Sequence, residues 1–357
     1  MLLFKRTAKD AGRVSRSGFL GIECLRELCL LCGGIAVVMG LINGAADTGR
    51  DQLTTAMRAG AAAEAQPDLP IYRIDLMSNP NVVWIKRGDV GIEQVSLVTG
   101  QVLDRVPTFA CNVAASAHSR DGRVHACGTN PGGLTIVRDG ITLVDEPDPA
   151  VTGSVVNLTV AADGSRVAAA DDKQRILIWN LAASPPDRLA IRLETSPVLV
   201  DWSVDGKRLL VGCGNGVVKM FSADGELVWS QKPDDHRTTA IAWSQDGTRV
   251  AVGQYGGNII VLDARDGGLQ WRSWHDSIQV SSVTFAPDGE RLAASGFDRT
   301  VDVVSAADGR RLQRMPGHYD MVRALQFLPD GDRILSGSLD GTLRIWSASA
   351  GRQLQKM

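Results

Sequence analysis

Apolar and polar side chains alternate from Met321 to Phe327, which puts one set on each face of an extended strand. Leu328-Pro329-Asp330-Gly331 then turns the chain, because Asp and Gly tolerate the backbone angles a tight reversal needs. Residues 333–338 run back as a second strand, Leu339-Asp340-Gly341 turns again, 342–347 make a third strand and 353–357 a fourth. The same order recurs upstream, at 281–285, 291–294 and 300–304, and again at 239–243, 249–253 and 258–262. Short alternating strands joined by such turns predict antiparallel sheets throughout.

The turns are evenly spaced. Asp-Gly pairs begin at 121, 163, 205, 246, 288 and 330, and a step of 42 back from Asp121 reaches Asn79-Pro80. A second series precedes each fourth strand: Thr99-Gly100, Asp139-Gly140, Asp224-Gly225, Asp266-Gly267, Asp308-Gly309 and Ala350-Gly351, with Ser184-Pro185-Pro186-Asp187 standing in for it in the third unit. A period of about 40–45 residues is that of a four-stranded propeller blade. The pattern therefore predicts an all-β, seven-bladed propeller over 71–357, preceded by an apolar helix and a linker.

The segment from Gly317-His318 through Ser336-Gly337-Ser338-Leu339-Asp340-Gly341-Thr342 to Ile345-Trp346 resembles the WD-repeat β-propellers. The resemblance implies a buried hydrogen-bonded chain of His318, Ser336, Asp340 and Trp346, with Ser338 as an alternative hydroxyl. The sixth unit keeps Asp298 but has Val304 in place of the Trp; the third keeps Trp179 but has Lys173 in place of the Asp. The first unit retains only Asp89. Two stretches, 261–271 and 224–229, look instead like quinone-cofactor propeller repeats, where Trp271 and Trp229 close the fourth strand. Packing between neighbouring blades explains those tryptophans equally well. Members of the WD-repeat family often borrow an N-terminal strand to complete the last blade; here 353–357 supplies the fourth strand, so the ring is expected to close by packing alone.

The chain carries a formal charge of −2, and residues 47–357 hold 32 basic against 37 acidic side chains. Nucleic-acid affinity comes mainly from neutralised phosphates, so a mildly acidic propeller argues against a nucleic-acid partner. The basic N-terminus is followed, from Leu28 to Ala46, by 19 residues without a charge, near the minimum for spanning a bilayer. One reading is a single-pass anchor with the N-terminus cytoplasmic and the propeller exported. Another is a signal peptide cleaved after Gly44-Ala45-Ala46, and a third is a soluble helix that docks on a partner, which Gly33, Gly34, Gly40 and Asn43 suit. Residues 51–64 then read as an Ala-rich helix and 66–70 as a stiff linker, placing domain boundaries at 46 and 70.

Cys24, Cys29 and Cys32 lie on or beside the apolar segment, and no second pair follows to complete a zinc site. Cys111, Cys127 and Cys213 are expected as small buried side chains, with Cys111 and Cys127 the one pair worth testing as a disulfide. No metal, cofactor or catalytic residue is expected. His236, His275 and His318 precede units five, six and seven, but equivalent loops of splayed blades lie about 10 Å or more apart, too far for bonds of about 2 Å. The inner strands, such as 156–160 and 198–202, offer few carboxylates for channel chemistry. The predicted binding surface is an aromatic patch: Tyr255, Phe297 and Leu339 at equivalent positions, beside Trp274, His275, Tyr319 and Asp320. The expected function is a non-catalytic scaffold for a protein or peptide, tethered or exported; the alternatives are a propeller enzyme or quinone-type cofactor binder, and a soluble cytoplasmic assembly factor.

Overall fold

The computed structural model describes residues 69–88, 91–106, 115–128, 133–146 and 154–357. Among the described residues, twenty-eight strands form seven four-stranded antiparallel sheets, each built from strands consecutive in sequence. These are seven blades: 71–106, 116–146, 155–192, 197–231, 238–274, 280–316 and 322–356. From blade 2 round to blade 7, and from blade 7 to blade 1, the first strand of each blade packs on the first strand of the next, so these inner strands surround a central channel. In blade 7 the four strands are Val322–Phe327, Arg333–Ser338, Leu343–Ser347 and Arg352–Lys356, each within a residue or so of the span its pattern predicts.

Burial follows position in the blade. Arg333–Ser338 and Leu343–Ser347 are almost wholly buried, because sheets stacked face to face cover both sides of a middle strand. The outermost strands, such as Asp187–Arg192 and Arg352–Lys356, are mostly exposed and carry charges such as Arg188 and Lys356, which discourage pairing with another chain. Apolar clusters lie between sheets: Leu210, Met220 and Trp229 of blade 4 pack with Trp243, Val250 and Ile260 of blade 5. Each blade therefore obtains its core from its neighbours.

The Asp-Gly turns require their glycine, since Gly247 and Gly331 have φ of 69° and 77°, where a side chain would be strained. They also receive the next tie. In the motif Asp-Gly-x-Arg, the arginines of blades 4, 5 and 6 reach the following blade: Arg208 Nη2 donates to Gly247 O (2.8 Å) and Nη1 to Ala264 O (3.1 Å). Arg249 repeats this on Gly289 O (2.6 Å) and Ala306 O (3.2 Å), and Arg291 on Gly331 O (2.9 Å). The guanidinium groups of Arg208, Arg249 and Arg291 also lie over Trp243, Phe285 and Phe327 of the following blade. Trp229 and Trp271 donate across the same gaps, to Ala264 O (3.1 Å) and Ala306 O (2.8 Å). Gly267 and Gly309 are the residues against which those indoles rest, and a Cβ there would come within 3.0 Å of the rings.

Blade 7 takes its four strands from its own stretch of chain and blade 1 from its own, so among the described residues no strand is shared at the seam. Ile71 packs against Gly337, and Arg87 Nη1 donates to Gly341 O (2.7 Å). Cys213 is a buried free thiol whose pKa burial pushes up, whereas Cys127 is disulfide-bonded, a correction to its expected role as a simple apolar filler. Among the described residues no helix is long and apolar enough to cross a membrane; the segment 28–46, the Ala-rich helix and the linker up to 68 lie outside the described residues.

Candidate interaction face and channel

Two series of loops, those entering each blade and those joining its second and third strands, meet on one face. Tyr255 N donates to Arg237 O and Leu339 N to Met321 O, both at 2.9 Å, while Phe297 N donates to Ser277 Oγ at 2.9 Å. These bonds pin the backbone and leave the side chains outward. Tyr255, Phe297, Trp274 and Tyr319 are 47%, 44%, 62% and 75% exposed. Leu339 is half-buried and Asp320 exposed. Ile278, which sequence reasoning passed over, is also exposed and lies beside Tyr255, since Gly256 N donates to Ile278 O at 2.8 Å. Arg344 and Lys356 each stand 5.5 Å from the Tyr319 ring centre, which holds that ring at the rim.

His275 is the exception. It is buried, with Nδ1 3.6 Å from Asp298 and Nε2 3.6 Å from Asp302, and neither nitrogen is hydrogen-bonded. It therefore contributes no side-chain surface to the patch. The reason is that it occupies in blade 6 the place His318 occupies in blade 7.

In blade 7 the four side chains His318, Ser336, Asp340 and Trp346 are joined in one sequence of hydrogen bonds. Trp346 Nε1 donates to Ser336 Oγ (2.7 Å), the Ser336 hydroxyl lies 2.7 Å from His318 Nε2, and His318 Nδ1 lies 2.9 Å from Asp340 Oδ2. Burial pushes the His318 pKa down to about 4, so the ring is neutral at pH 7; its proton is on Nδ1, donated to Asp340, and Nε2 accepts from Ser336. Despite its partial burial, Asp340 is held well below the ordinary carboxylate range by hydrogen bonds from Thr342, the Tyr319 N–H and His318. Ser338 instead donates to Asp320 O (3.0 Å).

The channel is more polar than its inner strands suggest. Arg73, on the innermost strand of blade 1 (Ile71–Leu76), donates through Nε to Asp75 (2.9 Å) and through Nη1 to Leu158 O of blade 3 (3.2 Å). It reaches past blade 2, whose innermost strand is only Ser116–His118. Asp201 accepts from Thr159 Oγ1 (3.3 Å), and burial pushes its carboxyl up to about 7 in spite of the nearby Arg73. Behind Asp75, His118 stacks on Trp84 at 5.4 Å and meets His125 at 2.9 Å; burial holds His118 near pKa 3, hence neutral. Among the described residues no cluster of three or more His, Cys, Asp or Glu could hold a metal ion.

The family comparisons divide the chain. The WD domain, G-beta repeat model matches residues 270–303 and 309–347, which run from the fourth strand of blade 5 through blade 6 to the third strand of blade 7. Residues 80–241, from blade 1 to the start of blade 5, match a model described as outer membrane protein assembly factor BamB. Trp229 falls in the second match and Trp271 in the first, although both make the same interblade contact. No curated protein matches the chain.

Proposed function

We propose, from the premise that this chain is a seven-bladed WD40-like β-propeller, that it works as a non-catalytic scaffold that binds another protein or peptide and serves in assembly. The observation that carries this reading is the set of exposed Tyr255, Phe297, Trp274 and Tyr319 on hydrogen-bonded loops and a strand end of one face. Aromatic anchors ringed by polar groups supply most of the energy in protein interfaces. The BamB match over 80–241 favours an assembly role over catalysis. Simultaneous Tyr255→Ala, Phe297→Ala and Tyr319→Ala substitution is expected to remove the proteins that co-purify with the full chain while leaving its unfolding transition in place. An unchanged set of partners would overturn the reading.

For location we propose export, with residues 28–46 as tether or signal. The absence of charge over those 19 residues supports it, and so does the Cys127 disulfide, a bond that persists mainly in oxidising compartments. The full chain is expected to sediment with membranes and a chain starting at Asp51 to be released. Recovery of both in the soluble fraction would overturn the tether, and an uncleaved N-terminus on that soluble full chain would overturn the signal as well, in favour of a cytoplasmic assembly factor.

A further inference from the structure

The exposed face surrounds the upper mouth of the channel, a cavity of about 680 Å3, within the size range of ligand pockets. Its lining is basic: Arg73 from blade 1, Arg237 from the loop entering blade 5 and Arg323 from blade 7 all contribute, and no Asp or Glu does. That sign runs against the chain as a whole, with its net charge of −2. Arg73 is engaged by Asp75 and Leu158 O, but among the described residues the guanidinium groups of Arg237 and Arg323 make no hydrogen bond or ion pair. Arg323 is open to the cavity yet walled by protein, and this desolvation lowers its pKa. A partly desolvated cation without a partner is unfavourable, and an anion placed beside it would offset that cost.

Depth is set from below. Asp75 and Asp201 line the next stretch of channel, a cavity of about 410 Å3, so an anion that descended past Arg73 would meet carboxylates. Tyr72, Tyr255 and Gln279 line the upper mouth, and Tyr255 belongs to the exposed patch as well. An inorganic ion cannot use aromatic surface, whereas a side chain on an extended polypeptide uses both the charge and the rings.

We infer that the upper mouth of the channel is an anion-binding site that receives an acidic side chain of a bound polypeptide segment, with Arg237 and Arg323 as its free donors. This rests on the protein-binding reading above and adds the chemistry of the partner. The test uses the full chain and a fluorescein-labelled peptide carrying glutamates interspersed with tyrosines, the same peptide with glutamines, and inorganic phosphate as competitor, read by anisotropy. The glutamate peptide is expected to bind at least about tenfold more tightly than its glutamine counterpart, and Arg323→Gln and Arg237→Gln each to weaken it about tenfold and flatten its salt dependence. Arg265→Gln, which removes an exposed arginine remote from the cavity lining, should change nothing. Equal binding of the two peptides, or unchanged affinity in both arginine variants with intact unfolding transitions, would overturn the inference. Displacement of the peptide by micromolar phosphate would overturn it in favour of a small-anion site. Partners lost by the aromatic triple variant but retained by the arginine variants would leave the scaffold standing and remove the acidic segment.

Discussion

In blade 7, His318 meets Asp340 on one nitrogen and Ser336 on the other; in blade 6 the equivalent His275 sits 3.6 Å from a carboxylate on each side and hydrogen-bonds to neither. The pairing register shows what changed. Ser336 faces Arg344 across its sheet where blade 6 has Ala294 facing Asp302, and Trp346 faces Ile334 where blade 6 has Val304 facing Leu292. Losing one hydroxyl removes the acceptor for an indole N–H and the donor for an imidazole together, so the relay is kept or lost as a unit. Blade 6 instead offers Asp302, whose carboxyl burial pushes upward, and Asp298 is taken by Thr300 (2.6 Å) and Arg314 (3.0 Å). Yet both blades dock on their neighbours alike through Arg249 and Arg291, which shows that the ring does not depend on a complete relay in every sheet.

The largest effect expected from this contrast is that of Ser336→Ala. It leaves Trp346 Nε1 and His318 Nε2 buried without partners and should cost about 3 kcal/mol in denaturant unfolding. A cost below about 1 kcal/mol would show that blade 7 gains little over blade 6 from its relay. Next, Arg249→Met should cost about 2 kcal/mol through the loss of two carbonyl contacts and the Phe285 stacking. Arg291→Met should behave similarly, since the tie is common to both gaps. His318→Leu should then exceed His275→Leu by about 2 kcal/mol, because only the first orphans hydrogen-bonded groups.

The smallest effects are in pH. His318, with its pKa lowered to about 4, is neutral in the fold and protonated in the unfolded chain between about pH 4 and 6.5, so its contribution is complete above that window and is lost as pH falls through it. Asp201 has the opposite sign. Its carboxyl, raised to about 7, holds a proton that the unfolded chain has released, so stability is lost as pH rises from about 4 through 7. Asp201→Asn should therefore become progressively more stable than the parent towards pH 8, measured as the difference between their melting temperatures across pH. A difference that stays constant would place Asp201 outside the titrating set.

The blades, their number and the blade 7 relay were legible because each is written in local sequence: turn glycines at a fixed period, and four residue types at family spacing. The interblade arginines were equally periodic, at the fourth position of Asp-Gly-x-Arg, but a lone arginine after a turn reads as solvent-facing until the neighbouring carbonyls are in place. The burial of His275 could have been read from its alignment with His318, since an internal histidine in one blade implies one in the next. Arg73 and Arg323 gave no signal. Alternation on an inner strand does not say which side chains meet across a channel, and Arg73 binds a carbonyl two blades away. The N-terminal readings rest on composition alone.

The seam carries one more consequence. Because blades 1 and 7 each take their four strands from their own stretch of chain, the circle is closed there without a shared strand among the described residues, by contacts such as Ile71 on Gly337, the Arg87–Gly341 hydrogen bond and a shared apolar cluster. Breathing of the ring, seen as amide exchange, should begin on either side of that seam. Arg73 and Arg323 flank it from opposite banks, so a guest gripped by both would act as a stitch across it. Occupancy of the channel would then be felt as slower exchange in strands the guest never touches.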